Sequence, residues 1–399
     1  MNIALLLPDL CGGGAERVAS ELSRYFTEKK HHVFVFTWKR TKNDYNFVGK
    51  IIQIPKHAKT YSGNIIWLAR VCELLNTTKQ VRRLKKKYHI NVTISFMENF
   101  NCVNVLSKRK DKVITRICTI LSVRENLNRQ RGDFLYNRTF LRFMYSLADK
   151  VVVLTEGGKM DMVNEYRLSG QKMAVISNPL SSFSAYEEEE WTYGDKVVLC
   201  PLRVDELKQQ KTLVECFQEV LKEIPEAKLL LVGRTNSSYA NEVRELVRKL
   251  HLEKEVLFIG HSSKVQYYLE HSTCFILISK GEGFSSAIVE ALGTGLPVLS
   301  TDCPGGPREI LAPGTGLGHQ HIKTIEMAEY GILLPYINEE YKTPEDKSVK
   351  DTISKAIVQI LTDPQLRKKY SEKGRERAKC YSMEIIGARW EKLIHSIVK

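Results

Sequence analysis

Two glutamates on either side of a predicted helix start are the strongest candidates for chemistry in this sequence. Glu282 lies in a glycine-rich loop after the apolar run 274–278, and Glu290 lies one to two turns into the helix predicted from Ser285. Unpaired backbone N–H groups in a first helical turn favour an anion. A carboxylate in the loop can bind sugar hydroxyls, and one in the helix can bind a ribose diol. The backbone donors expected here are those of Phe284, Ser285 and Ser286, next to Gly283.

A pair of cations follows another predicted strand. Residues 197–200 are apolar, Arg203 lies three residues after this run, and Lys208 follows five residues later. Arginine binds a phosphate as a fork and lysine binds it as a point charge, so the two can clamp a diphosphate. Lys211 competes for the role of Lys208, and a solvated surface position is the alternative interpretation of all three side chains.

A run of glycines, residues 12–14, joins the first predicted strand to the first predicted helix. Without Cβ atoms, Gly13 and Gly14 let a ligand approach the backbone at a helix N-terminus. The run matches neither G-x-G-x-x-G nor the Walker pattern, because Lys and Ser/Thr do not follow the last glycine. The turn predicts a phosphate or acceptor contact, and a tight turn without a ligand is the alternative.

Strand-length apolar runs alternate with helical patterns along the whole chain, which predicts parallel sheets covered by helices. The first half has predicted strands at 3–7, 32–36, 92–96, 113–117 and 151–154. The pattern starts again after the acidic and aromatic stretch 186–193, with predicted strands at 197–200, 229–232, 256–259, 274–278 and 298–300. The sequence therefore predicts an α/β protein with two Rossmann-like, doubly wound domains that face a central cleft.

The predicted domain boundary lies near residues 178–191, where Asn178-Pro179 interrupts the pattern and the run 187–190 indicates a solvated acidic linker. We assign residues 1–182 to an acceptor-binding domain and residues 183–380 to a nucleotide-sugar-binding domain. Residues 381–399 are predicted to form a helix that packs back on the first domain.

The order of these motifs resembles that of the family 4 retaining glycosyltransferases of the GT-B fold, which include enzymes of bacterial cell-surface polysaccharide and lipid-linked oligosaccharide synthesis. The segment from Glu282 to Glu290 resembles the E-x7-E signature, and Arg203 with Lys208 resembles the R-x4-K pair. Residues 12–17 resemble the G-G-A-E-R turn, residues 231–233, which end in Gly233, resemble the L-V-G turn, and residues 301–310 are similar to the strand, loop and helix that follow in the family.

This resemblance implies transfer of a hexose or N-acetylhexosamine, with retention, from a nucleotide diphosphate sugar, with a UDP-sugar as the expected donor, to a glycan or lipid-linked acceptor. It implies catalytic roles for Glu282, Lys208 and Arg203. The implied donor-binding residues are Gly13, Gly14, Arg203, Lys208, Gly233, Glu282, Gly283, Phe284, Ser285, Ser286 and Glu290. We expect no cofactor and no metal, since no D-x-D pair lies near the predicted diphosphate site.

One departure from the family pattern concerns the first domain. The family has a histidine after the strand equivalent to residues 113–117, whereas residues 119–126 of this chain contain none. Arg124, Glu125 or Asn126 are the candidates to replace it.

Positive charge is concentrated in the first half of the chain. Residues 1–180 carry 31 Lys and Arg against 14 Asp and Glu, a balance of +17, and the remaining residues carry 29 against 32. A one-sided basic field points to an anionic partner. Two clusters contribute, the run 79–88 and the arginine-rich and aromatic stretch 124–145. Helix-dipole pairing is the alternative interpretation of the first cluster. The acceptor or membrane contacts predicted from them are Arg124, Asn126, Arg129, Arg131, Lys85 and Lys86.

Composition limits the remaining possibilities. No apolar run reaches the ~18 residues of a membrane span, the start has no signal-peptide pattern, and the nine cysteines show no C-x-x-C spacing. We therefore expect a cytoplasmic protein at the inner face of the plasma membrane. A nucleic-acid partner is not expected, because no recognised module appears. A sugar-nucleotide epimerase, a donor-binding pseudoenzyme and a non-catalytic nucleic-acid or membrane-binding protein stay as alternatives.

Overall fold

The structure is a computed structural model of the chain, and it describes residues 1–56, 66–129, 138–181, 186, 189–317, 322, 324–336 and 344–398; within these, side chains 66–68, 126–129 and 344–347 are not described. The chain divides into two compact units. The first unit consists of Met1–Ser181 and Ser382–Lys399, and the second of Ser182–Tyr381.

The first unit is built on a seven-stranded sheet in which every pairing between neighbours is parallel. Its strands are β1 (Asn2–Leu7), β2 (His32–Thr37), β3 (Lys50–Gln53), β4 (Val92–Phe96), β5 (Lys112–Arg116), β6 (Lys150–Val153) and β7 (Met173–Val175). The strand order is β3-β2-β1-β4-β5-β6-β7. Helices connect the strands: α1 (Gly14–Glu28), α2 (Ile66–Lys87), α3 (Glu98–Leu106), α4 (Leu121–Arg129), α5 (Arg138–Ser146) and α6 (Glu156–Asn164).

The central strands are apolar because helices cover both faces of the sheet. All of residues 3–7 in β1 are fully buried, including side chains that point to opposite faces. This explains why the strand appears in the sequence as a continuous apolar run instead of an alternating one.

The second unit repeats the same architecture. Its strands are β8 (Val197–Cys200), β9 (Lys228–Val232), β10 (Val256–Gly260), β11 (Cys274–Leu277), β12 (Val298–Thr301), β13 (Glu326–Met327) and β14 (Ile332–Leu334), in the order β10-β9-β8-β11-β12-β14-β13. Among these described strands, the edge strand β13 alone pairs in the antiparallel direction. The helices are α7 (Gln210–Glu223), α8 (Ser238–Lys249), α9 (Val265–His271), α10 (Ser286–Thr294), α11 (Gly306–Leu311), α12 (Pro344–Thr362) and α13 (Pro364–Lys379).

Each sheet has one point where the strand order reverses. It lies between β1 and β4 in the first unit and between β8 and β11 in the second. In open α/β sheets, ligands bind outside the carboxyl ends of the strands at such points. The topology thus selects four turns: the glycine turn after β1, the turn at Met97 after β4, the Arg203–Lys208 segment after β8 and the Glu282 loop after β11.

The last helix, α14 (Met383–Val398), belongs to the first unit. Trp390 is fully buried, and Gly387 lies so close to the Tyr25 ring of α1 that an added methyl group would overlap the ring carbons. His31, in the turn between α1 and β2, contacts Glu391 of α14 at 3.0 Å. A glycine is needed where the two helices approach this closely.

The described end of the predicted acidic linker packs on α9. Glu187 and Glu188 lie outside the described residues, but Glu189 pairs with Lys264, and its carbonyl accepts a hydrogen bond from the Tyr267 hydroxyl at 2.9 Å. Trp191 stacks on His271 with ring centres 5.4 Å apart. The end of the predicted linker is therefore fixed on α9 by aromatic contacts, which the charge pattern did not indicate.

Within the described residues, none of the helices combines the length and apolar character of a membrane span.

Candidate functional site

The two switch-point loops of the second unit meet through an ion pair. The Lys208 ammonium contacts the Glu282 carboxylate, although 74 residues separate them in the sequence. Both side chains are mostly buried, with exposed fractions of 15% for Lys208 and 10% for Glu282. The structure thus brings together the cation and the carboxylate that the sequence singled out independently.

Backbone hydrogen bonds hold these two loops in place. The Leu207 carbonyl accepts from the Lys280 backbone N–H at 2.8 Å and from the Ser279 hydroxyl at 3.0 Å. After Lys208 the backbone turns sharply at Gln209, which has a positive φ of 48° and leads directly into α7. Because the main chains are joined beside the ion pair, the distance between Lys208 and Glu282 does not depend on flexible side chains alone.

The electrostatics of the pair keep Lys208 charged. Burial on its own would lower the pKa of the Lys208 ammonium, but the Glu282 carboxylate and its hydrogen bond outweigh burial, so the pKa is raised above its usual value. Lys211, the competing candidate, instead pairs with Glu242 and lies over the Tyr239 ring at 5.3 Å. Of these two lysines, the geometry favours Lys208 as the cation that faces Glu282.

Arg203 occupies a more open position. Its side chain is 65% exposed, and its Nε donates to Asp205 at 2.6 Å. The turn that carries it packs tightly on the turn after β9, since a methyl group at Gly233 would lie 2.6 Å from the Leu202 carbonyl carbon. Gly233 therefore allows the backbone of its own turn to approach the backbone at Leu202, and there is no room for a larger residue at position 233.

The loop after β11 ends in the N-terminus of α10. Ser285 precedes the helix with a positive φ of 66°, and its side chain makes no capping hydrogen bond. Phe284 is buried, whereas Ser286 and Glu290 are half-buried on α10. The apolar positions Ile288, Ala291 and Leu292 are fully buried. A helix N-terminus beside Lys208 is an arrangement that can hold a diphosphate.

The loop after β12 also holds the Glu282 backbone. The Glu282 backbone N–H donates to the Pro304 carbonyl at 3.0 Å, and the Glu282 carbonyl accepts from the Gly306 N–H at 3.2 Å. These two bonds form an isolated parallel bridge between Glu282 and Gly305. The position of Glu282 is thus determined by the segment after β12 as well as by its own loop.

In the first unit, the glycine turn forms the start of α1. Gly12 has a positive φ of 89°, Gly13 is the residue before the helix, and Gly14 is its first residue. Apart from the adjoining helix backbone, no atom of the described residues lies within 4 Å of a methyl group built on Gly14. The Glu16 carboxylate lies over Gly13 and is itself buried.

The structure describes only some of the predicted acceptor residues in full. Arg124 is half-buried on α4, while the side chains of Asn126 and Arg129 and the whole of Arg131 lie outside the described residues. Glu125 is buried and accepts hydrogen bonds from Arg138 and from the Tyr166 hydroxyl, both at 3.1 Å. These contacts direct Glu125 into the unit, which argues against Glu125 as the replacement for the family histidine.

Lys85 was predicted as an acceptor or membrane contact at the surface, and the structure shows that it is buried. Its side chain is 1% exposed and pairs with the equally buried Asp111 at 2.9 Å. It lies near the end of α2, which leads into the start of β4, whereas the glycine turn follows the end of β1. Lys86 is exposed, but it too lies at the edge of the sheet opposite the glycine turn. The helical periodicity of α2 explains why Lys85 is buried and Lys86 is exposed, because Lys85 falls on the buried face of the helix.

Several residues at the switch point of the first unit, or on the strand β5 beside it, had no assigned role in the sequence. In the first unit, Met97 has a positive φ of 69°, and the buried Glu98 begins α3 directly after it. The buried Arg116 ends β5 and lies over the Phe96 ring at 5.3 Å. An unusual φ for a bulky residue marks functional segments, but it has no signature in a single sequence.

Among the described residues, no group of three or more His, Cys, Asp or Glu side chains is placed to hold a metal ion. The donor set of the Lys208–Glu282 region is cationic and backbone N–H in character, which suits an anion.

Comparisons with known proteins agree with this geometry. Residues 12–181 match the family model described as Glycosyltransferase Family 4, and residues 185–325 match the model described as Glycosyl transferases group 1. The chain is 27% identical over 395 residues to an uncharacterized glycosyltransferase of Methanocaldococcus jannaschii, with 93% of each chain covered.

Two further matches cover almost the full length. The N-acetylgalactosamine-N,N'-diacetylbacillosaminyl-diphospho-undecaprenol 4-alpha-N-acetylgalactosaminyltransferase of Campylobacter jejuni is 23% identical over 386 residues, with 95% of each chain covered. The structure of Anabaena HepE in complex with UDP-glucose superposes with a TM-score of 0.73 and 15% identity over 100% of both chains. With two Rossmann-like units and both family models matched in order, the chain belongs to the family 4 glycosyltransferases of the GT-B fold, of the kind that acts in bacterial polysaccharide synthesis.

Proposed function

We propose that this glycosyltransferase moves a hexose or N-acetylhexosamine, with retention of anomeric configuration, from a UDP-sugar to a glycan or lipid-linked acceptor. The observation that carries the proposal is the Lys208–Glu282 ion pair at the switch point of the second unit, beside the N-terminus of α10. No other pair of the predicted catalytic residues is in direct contact within the described part of the chain.

The ion pair suggests how a donor would enter. Lys208 and the first-turn N–H groups of α10 would bind the diphosphate, and Glu282, released from part of its contact with Lys208, would accept hydrogen bonds from sugar hydroxyls. The exposed Arg203 side chain pairs with Asp205, and a surface ion pair of this kind contributes little, so Arg203 can turn toward the diphosphate at small cost. Glu290 would bind the ribose diol from α10.

In the reaction, the bond between the anomeric carbon and the diphosphate oxygen breaks, and its electron pair stays on the departing oxygen. The acceptor hydroxyl oxygen bonds to the same face of the anomeric carbon, and its proton passes to the departing oxygen. Negative charge grows on the diphosphate as the bond breaks, so fixed cationic and N–H groups stabilise the transition state more than the ground state.

The choice of donor and acceptor rests on the relatives. HepE, which shares the fold, has been seen with UDP-glucose, and the Campylobacter enzyme is named for a diphospho-undecaprenol-linked substrate. A lipid-diphosphate acceptor also suits the positive balance of +17 in residues 1–180.

Peripheral association with the cytoplasmic face of an anionic membrane is part of the same proposal. Phe143 on α5 is 59% exposed, and Leu147, the first residue after α5, is 42% exposed. Arg142, which precedes Phe143 on the same helix, is also exposed. Aromatic and aliphatic side chains next to a cation suit the headgroup region of a bilayer.

Nucleotide release from a panel of nucleotide sugars, with and without a membrane lipid extract, tests the activity. We expect UDP release that requires the extract, and NMR of the product tests retention. Lys208→Met and Glu282→Gln should each lower kcat by about 100-fold or more, as loss of a transition-state contact does. The matched control Lys211→Met removes a neighbouring cation that pairs elsewhere and should keep near wild-type kcat.

Three outcomes would contradict the proposal. Undiminished turnover in Lys208→Met would exclude the proposed site, and nucleotide release that needs no acceptor would indicate an epimerase instead. Binding of donor without turnover under every acceptor condition would indicate a non-catalytic protein.

Flotation with anionic and neutral liposomes tests the membrane part separately. Phe143→Ser should reduce binding to anionic vesicles at low salt, whereas the control Met327→Ser, which removes a 44% exposed side chain of the second unit, should not. Equal loss in both variants would refute the assignment to α5.

A further inference from the structure

A buried arginine lies beneath the loop that supports Glu282. Arg308 on α11 is 2% exposed and forms a forked contact with Asp302, with Nε–Oδ1 at 2.9 Å and Nη2–Oδ2 at 2.7 Å. The same guanidinium donates to Glu326 at 2.8 Å and to the Thr315 hydroxyl at 3.0 Å. Every guanidinium nitrogen therefore has an acceptor, and two of those acceptors are carboxylates.

The Arg308–Asp302 contact closes a short turn. Asp302 directly follows β12, and Arg308 is in the first turn of α11, so the pair encloses residues 303–307. Asp302 is fully buried, and its backbone N–H donates to the Leu334 carbonyl at 2.9 Å. One end of the turn is thus fixed to the sheet and the other to the guanidinium.

This closed turn is the one that holds Glu282. The Pro304 carbonyl and the Gly306 N–H make the two backbone bonds to Glu282, at 3.0 and 3.2 Å. Gly306 also lies directly against Phe284, since a methyl group there would be 2.6 Å from the Phe284 Cα. A movement of residues 303–306 would consequently move the Glu282 backbone with it.

We infer that Arg308 is a positioning residue for glycosyl transfer, which acts through the Asp302–Gly306 turn to hold Glu282 at the anomeric end of the donor site. This inference rests on the proposed role of Glu282. Arg308 itself touches neither Lys208 nor Glu282 in the described contacts, so it is not a catalytic residue.

The forked geometry makes the role specific to arginine. A lysine at position 308 would keep the positive charge, but its single ammonium group cannot reproduce the two parallel hydrogen bonds that the guanidinium makes to the two oxygens of Asp302. The turn would then be held by a single point contact. A displacement of the catalytic group by about 1 Å can cost on the order of 100-fold in rate, even when the fold is intact.

Steady-state kinetics with Arg308→Lys test the inference. We expect kcat to fall by about 10- to 100-fold, while affinity for UDP alone changes less than about threefold, because UDP has no sugar for Glu282 to orient. Arg367→Lys is the matched control for a structural loss in the same unit, since Arg367 donates to two carbonyls at the end of α12, at 2.9 Å each, away from this turn. It should alter thermal stability and leave kcat unchanged.

A double-mutant cycle separates this inference from the proposed function. If Arg308 acts through Glu282, Arg308→Lys should have little further effect in a Glu282→Gln background. Additive effects on kcat would overturn the inference while leaving the role of Glu282 intact. If Glu282→Gln alone has wild-type kcat, the proposed function of Glu282 fails instead.

Gly306→Ala provides a second variant that leaves the Arg308–Asp302 contact in place. It forces the turn away from Phe284 and should reproduce the kcat loss of Arg308→Lys with the same non-additivity toward Glu282→Gln. Wild-type kcat in a folded Gly306→Ala protein would refute the coupling between this turn and Glu282.

Discussion

Removing the buried cation Lys85 should destabilise the first unit strongly, and removing its partner as well should restore most of the loss. The Lys85 ammonium contacts Asp111 at 2.9 Å and the Asn104 side-chain oxygen at 2.8 Å, and both members of the ion pair are 1% exposed. Lys85→Met leaves the Asp111 carboxylate buried without a cationic partner, although the Thr93 hydroxyl at 2.8 Å and the Arg109 N–H at 2.9 Å still donate to it.

The expected magnitudes follow from the cost of an uncompensated buried charge. Breaking a buried pair on one side costs about 3–5 kcal/mol, whereas replacing both charges by neutral groups is often close to neutral. Lys85→Met should therefore lower the free energy of unfolding by about 3–5 kcal/mol, and Lys85→Met/Asp111→Asn by less than about 2 kcal/mol. A difference of this kind is expected only if the two groups interact directly.

The pH dependence of stability provides an independent check. Burial lowers the pKa of Lys85 from 10.5 to about 8, despite the opposing effect of Asp111. Between these values the unfolded chain binds a proton at Lys85 and the folded chain does not, so the free energy of unfolding rises with pH. This contribution is complete above pH 10.5 and is lost as the pH falls to about 8. The double variant lacks it.

Urea denaturation followed by tryptophan fluorescence measures these effects. The tryptophans are Trp38, Trp67, Trp191 and Trp390, and only Trp191 belongs to the second unit. A Trp191→Phe background therefore reports on the first unit alone. Costs of the two single substitutions that add within about 0.5 kcal/mol would refute the pairing argument. Parallel pH curves for wild type and double variant between pH 8 and 10.5 would refute the pKa argument.

Two glycines should tolerate no methyl group. Gly387→Ala should destabilise the first unit by about 1–3 kcal/mol in the same assay, although alanine favours a helix, because the methyl group meets the Tyr25 ring; if Tyr25→Leu does not reduce this cost, the steric explanation is wrong. Gly233→Ala should push the Leu202 backbone away and weaken UDP binding, measured by calorimetry, by about tenfold, the loss that ~1.4 kcal/mol of strain would produce. Unchanged affinity in Gly233→Ala would show that the turn moves without affecting the donor site.

The fold follows from patterns that a sequence displays directly. Apolar runs such as 3–7 and 274–278 appear as continuous because both faces of a central parallel strand are buried. Their alternation with helices predicts two doubly wound sheets, and the two seven-stranded sheets confirm this. Glu282 and Lys208 could be selected because glycine-rich loops and cations after strands have a physical use.

Residue spacing could not reveal which polar groups meet. Lys85 and Lys86 are adjacent in a basic run, yet one is buried against Asp111 and the other is exposed, because successive positions of a helix point in different directions. The predicted surface role of Lys85 was wrong for this reason. Likewise, Arg138 in the arginine-rich stretch is held by Glu125 and Glu165 at 3.1 and 2.9 Å.

The sequence by itself determined the two-unit α/β architecture, the glycine turns and the candidates Arg203, Lys208, Glu282 and Glu290, because these depend on local periodicity and on residue type. Only the tertiary structure decided that Lys208 contacts Glu282 and that Arg308 closes the turn beneath it. Strand order places β8 beside β11 and β11 beside β12, and such long-range pairing brings together loops separated by tens of residues. Chain topology, which no local pattern encodes, therefore determines which of the candidates can act together.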